Sequence, residues 1–130
     1  MNKSGKTIKE LNSLLDKWQT RLLLDDWDLS IKIVEFNRTD YQQSGDIKVN
    51  LEHKKAAVLL TSKPFKDEEY VLVHELVHLL LWDLDTYSEK FVLSKSEEKL
   101  KGAHGKYMEK LEATVDHLTK ILLKSKKGIN

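Results

Sequence analysis

An α+β domain is predicted by three features of the chain. Apolar residues recur at helical spacing near both ends. Stretches of strict apolar–polar alternation follow the first helical pattern. A lone proline, Pro64, then separates these stretches from a nearly continuous apolar segment. The first element carries Ile8, Leu11, Leu15, Trp18 and Leu22 at spacings of three and four, one face of an amphipathic helix over about residues 6–24. Trp27, Leu29, Ile31 and Ile33 then alternate with Asp28, Ser30 and Lys32, the period of a half-buried strand. Residues 37–45 are polar and read as a loop. Ile47, Val49 and Leu51 alternate with Asp46, Lys48 and Asn50 in a second strand. Residues 56–61, AAVLLT, are apolar on both faces and stop at Ser62-Lys63-Pro64, which gives a third strand.

Asp67, Glu68 and Glu69 place acidic side chains in a first helical turn, where the helix dipole favours them, and the helix they open is expected to reach Trp82. Residues 83–93 look irregular. Ser94-Lys95-Ser96-Glu97 has the form of a capping box for a short helix, which Gly102 and Gly105 weaken. From about residue 104 to residue 124 the period is helical again, with Tyr107, Met108, Leu111, Val115, Leu118 and Leu122 on one face. The expected layout is an N-terminal helix, a three-stranded and mostly antiparallel sheet, a second helix, a loop and a C-terminal helix. With no repeat, low-complexity tract or linker, residues 1–130 read as one domain.

Charge excludes two broad classes of partner. The chain holds 22 basic and 21 acidic side chains, net +1, which gives no support for nucleic-acid binding or for adsorption to a membrane. The basic clusters (Lys3, Lys6 and Lys9; Lys124, Lys126 and Lys127) read as solvated ends. There is no cysteine, so no disulfide framework exists, and the opening MNKSGKTIKE has no apolar core of a signal peptide. The expected setting is the cytoplasm.

The informative stretch is VLVHELVHLLLW, residues 71–82, in which only His74, Glu75 and His78 are polar. Burying an unpaired carboxylate costs on the order of 5 kcal/mol or more, so something must offset Glu75. The three residues form an HExxH. On a helix, positions i and i+4 lie on one face, so both imidazoles can reach one tetrahedral Zn²⁺. The glutamate at i+1 is rotated by about 100° and falls beside the ion, where it can hold a hydrolytic water. A divalent cation also stabilises a carboxylate at low dielectric. Two core histidines with a surface glutamate between them would leave Glu75 unexplained, because Val71, Leu72, Leu76 and Leu79 provide little polar face.

A catalytic zinc takes three protein ligands. Glu112, in LEATVDHL, is one candidate for the third. Asp116 follows it by one turn, placed to accept a proton from the second nitrogen of a ligand histidine. His104, in GAHGKYM, is the other. It shares the apolar face of the last helix and could instead be a hydrogen-bonded core residue or a substrate-facing donor. His53 and His117 read as exposed and inert.

HELVH followed on a later helix by Glu112-Ala-Thr-Val-Asp116 resembles the gluzincin metallopeptidases, whose pattern is HExxH and then ExxxD. In size and order the chain is similar to their smallest members: minigluzincins, ImmA/IrrE-like peptidases and short HExxH proteins of bacteriophages and prophages. In those proteins, too, a helix and a Trp-containing strand (here DDWDLSIKI) precede an apolar strand and the HExxH helix. The resemblance extends over most of the chain in layout and about ten residues in motif. It implies a zincin-like fold, His74, His78 and Glu112 as zinc ligands, Glu75 as general base, and Asp116 as the carboxylate behind the ligands. The connection over residues 83–101 departs from the tighter one of larger gluzincins. A second resemblance, to the SprT-type peptidases with a ligand histidine in HGxxF, would favour His104; here Met108 stands at the aromatic position.

The reaction these residues suit is hydrolysis of a peptide bond by a zinc-activated water, with Glu75 moving the proton to the leaving amine. The expected partner is a peptide or protein substrate, which could pair with the edge of the 56–61 strand. Tyr107 and His104 are candidates for stabilising the transition state. The rival readings are a non-catalytic zinc-binding or protein-interaction module and a zinc-free structural protein, both of phage or prophage type.

Overall fold

The computed structural model describes residues 6–35, 45–61, 67–93 and 97–129. Among them the chain is α+β, with a three-stranded mixed sheet and helices before and after it. It divides into two compact units, Met1–Leu76 and Val77–Asn130, and the division falls within a continuous helix.

In the first unit, α1 (Ile8–Arg21) starts at Thr7 with a complete capping box. Glu10 N donates to Thr7 Oγ1 at 3.1 Å and Thr7 N donates to Glu10 Oε1 at 2.8 Å. These bonds hold the Glu10 carboxyl below the usual carboxylate range. Of the predicted apolar face, Leu11, Leu15 and Trp18 are fully buried, while Ile8 lies half in solvent. The helix ends because Leu23 turns into the left-handed region at φ 59°, a position usually given to glycine. The Gln19 side chain holds the turn by donating to the carbonyls of Leu24 (2.9 Å) and Trp27 (2.7 Å).

The strands are β1 (Asp28–Val34), β2 (Gly45–Asn50) and β3 (Lys55–Thr61), in the order β1-β3-β2. The β2–β3 pair is antiparallel, with Ile47 opposite Val58, and the β1–β3 pair is parallel, with Ile31 opposite Val58. The expectation of a mostly antiparallel sheet is therefore corrected to a mixed one. A short turn over residues 51–54 forces β2 and β3 into a hairpin. The chain then places β3 between its two predecessors, so that β1 meets it running the same way. Ala56, Val58 and Leu60 bury one face of β3, and Leu59 is covered on the other, which is why this strand alone is apolar throughout. Its central place overturns the expectation that a peptide could add to its edge, since both of its edges are occupied.

α2 (Glu68–Leu80) is capped by Asp67, whose carboxylate accepts from Tyr70 N at 3.1 Å. Within the first unit, Trp18 Nε1 donates to Glu69 Oε2 at 2.7 Å, fixing the start of α2 to α1. Val71, Leu72, Val73, Leu76, Val77 and Leu79 are all buried.

In the second unit, α2 passes almost directly into α3 (Trp82–Leu93). Leu81 N still bonds Val77 O (3.1 Å), and Asp85 N bonds Leu81 O (2.7 Å). The irregular stretch expected over residues 83–93 is thus a helix. Its apolar residues hid it: Leu84, Tyr87 and Phe91 face solvent at 64%, 61% and 59% exposure, while its polar side turns inward. α4 (Glu97–Ile129) is one helix of 33 residues, longer than the 104–124 expected, and it takes Gly102 and Gly105 into its interior. The Ser94–Ser96 cap expected for it lies outside the described residues, as do most of the 37–45 loop and the 62–64 stop. Buried in α4 are Val115 and Thr119, whose hydroxyl donates to Val115 O at 2.7 Å. Among the described residues no helix is long and apolar enough to cross a membrane.

Candidate metal centre

α2 supplies His74, Glu75 and His78. The histidines stand one turn apart on an unbroken helix, so the helix itself sets their relation. Tyr70, one turn before His74, stacks on its ring with centroids 6.2 Å apart and planes inclined by 30°. His78 Nε2 lies 3.0 Å from Glu112 Oε2 of α4, a contact internal to the second unit. One ligand atom from each of His74, His78 and Glu112 lies within 4.8 Å of the others. Two imidazole nitrogens and a carboxylate oxygen are a donor set that catalytic zinc uses.

Glu75 is 8% exposed. Its carboxylate lies against the first residue of β2. A Cβ added at Gly45 would come within 3.3 Å of Glu75 Oε2 and 2.5 Å of Val71 Cγ1. Gly45 therefore admits the glutamate by lacking a side chain, a role that sequence reasoning missed. The available signal was a glycine at the threshold of an alternating strand, which marks close backbone approach.

Asp116 follows Glu112 by one turn on α4 and is half-buried. The other two candidates lie against α3. His104 Nε2 is 2.8 Å from Glu89 Oε2. The Tyr107 hydroxyl donates to the Asp85 carbonyl at 3.0 Å and to the Asp85 carboxylate. Burial first, and then the bond to Asp85 with the charges of Asp85 and Glu89, pushes the Tyr107 phenol up to about 12. Thus Glu112 is the candidate third ligand brought to the histidine pair, and His104 is engaged elsewhere. His53 and His117 are exposed.

No protein-family model, curated protein or solved structure matches the chain.

Proposed function

We propose that this protein is a small zinc-dependent metallopeptidase of zincin-like architecture. The reading is carried by one observation: the HExxH histidines share a compact group of potential ligand atoms with a carboxylate from a later helix. His74, His78 and Glu112 would hold the ion. Zinc, when bound, lowers the pKa of water from about 15.7 to near 7 and polarises a carbonyl. Glu75 takes the proton of the attacking water and returns it to the leaving amine. Its low exposure supports this role, because a carboxylate kept from bulk water holds its proton partner in a fixed place. Asp116 is suited to orienting a ligand imidazole.

The substrate is a peptide in extended form. Because β3 is filled on both sides, the peptide does not pair with that strand. The decisive experiment compares the unsubstituted chain with Glu75→Gln on an unfolded protein substrate, with zinc counted in both. Cleavage lost with one zinc per chain retained supports the peptidase. Equal cleavage in the two proteins, or no zinc uptake after supplementation, overturns it. A chain that binds zinc but cleaves nothing in either form is a binding module.

A further inference from the structure

Within the second unit, three polar contacts follow one another between antiparallel partners. Going out from the metal group, His78 meets Glu112 (3.0 Å), Asp85 meets Tyr107 (3.0 Å to its carbonyl), and Glu89 meets His104 (2.8 Å). His78, Asp85 and Glu89 are spaced by seven and four residues. That spacing makes a single stripe on a helix, and the helical bonds on either side of Leu81 carry it from α2 into α3. The partners Glu112, Tyr107 and His104 descend α4 in the opposite order.

We infer that Tyr107 and His104 are positioning residues: their bonds to Asp85 and Glu89 fix the register of α4 along α3 and so hold Glu112 within reach of the ion that His78 binds. This inference rests on the metal reading above. None of the described α3 side chains is fully buried, so apolar packing gives this pair of helices little means of choosing a register. Directional polar contacts can supply that choice. The geometry is unforgiving, because a slip of one helical turn displaces a side chain by about 5.4 Å. Zinc–oxygen bonds are about 2.0–2.2 Å long, so such a slip removes the ligand altogether. The Glu112 side chain is 50% exposed, and the place of its backbone governs where its carboxylate can reach.

The test uses zinc alone as the probe, in competition with a chelating indicator at neutral pH. Tyr107→Phe and His104→Ala are each expected to weaken zinc binding about tenfold, and the double variant by more. His104→Gln, which keeps a donor for Glu89, is expected to restore affinity to near that of the unsubstituted chain. The chain has no cysteine, so spin labels can be placed singly at the exposed positions Thr86 and Lys110. In the zinc-free double variant their distance distribution is expected to broaden or shift. Circular dichroism establishes that each variant is helical, and Glu89→Gln serves if Tyr107→Phe fails to fold. Equal zinc affinity in all variants overturns the positioning role while leaving the metal reading intact. Weakened zinc binding with an unchanged label distance also overturns it, since the effect would not then act through register. Absence of zinc uptake by the unsubstituted chain overturns the metal reading and this inference with it.

Discussion

α2 and α3 are successive helices of nearly equal length, 13 and 12 residues, separated by Leu81, yet they are built on opposite terms. α2 buries Leu72, Val73 and Leu76 completely and carries a glutamate among them. α3 buries none of its described side chains and turns Leu84, Tyr87 and Phe91 outward. A helix surrounded by apolar contacts can hold a charged group rigidly, and that rigidity suits a general base. A helix that faces solvent depends on charge placement and the polar contacts of its inner side. Asp83 and Asp85 in its first turn and Lys90 in its last oppose the helix dipole as they should.

The largest expected effect breaks the contrast at the site. On the proposed metallopeptidase reading, Glu75→Gln should lower cleavage by about 10²–10⁴-fold, the usual worth of a general base, whereas Asp83→Asn on the exposed side of α3 should leave the rate unchanged. Initial rates on an unfolded substrate measure both. The next effect is on stability. Leu72→Ala should cost about 2–5 kcal/mol through lost burial and a residual cavity, and Leu84→Ala within about 0.5 kcal/mol. Urea midpoints at constant slope distinguish them, and equal losses would mean that α3 is covered in solution. Gly45→Ala should cost about 1–3 kcal/mol by overpacking against Val71, and it should lower cleavage as well because the new methyl crowds Glu75.

The smallest effect concerns α3 and α4. Tyr107 keeps its proton in the folded state up to about 12, against 10.0 for an ordinary phenol. The folded state then binds more protons than the unfolded one above pH 10, so stability falls as pH rises from there towards 12. The contribution is fully present below pH 10. Tyr107→Phe lacks it, and its unfolding free energy should decline less steeply over that window than that of the unsubstituted chain.

How much of this was legible follows from where each signal arises. α1 could be read from its apolar spacing and α2 from its acidic first turn and apolar run, because those signals are local. The apolar run of β3 already announced a strand covered on both faces, although its insertion between β1 and β2 is a matter of topology that alternation does not encode. α3 escaped because an apolar stripe implies burial only when something covers it, and here the stripe faces outward. His74, Glu75 and His78 were visible as a motif. The pairing of Glu112 with the motif came from the resemblance and its ExxxD spacing, with His104 as the alternative, since two helices' register is decided by contacts distant in sequence. Gly45 at the threshold of an alternating strand signalled a close approach, but which groups approach it, Val71 and Glu75, is settled only in space.

The strand order has a further consequence, for how the chain acquires its structure. β2 and β3 are joined by a turn of a few residues, where Lys54 takes a φ of 52°, and hairpins of this kind close within about 1–10 μs. Among the described residues β1 pairs with β3 alone, and that parallel pairing requires a much longer loop to close. The hairpin is therefore the natural nucleus, and β1 docks onto a surface already made. Truncating the chain before β3 would leave the first two strands with nothing to pair against, so the sheet assembles only once that last strand has been synthesised.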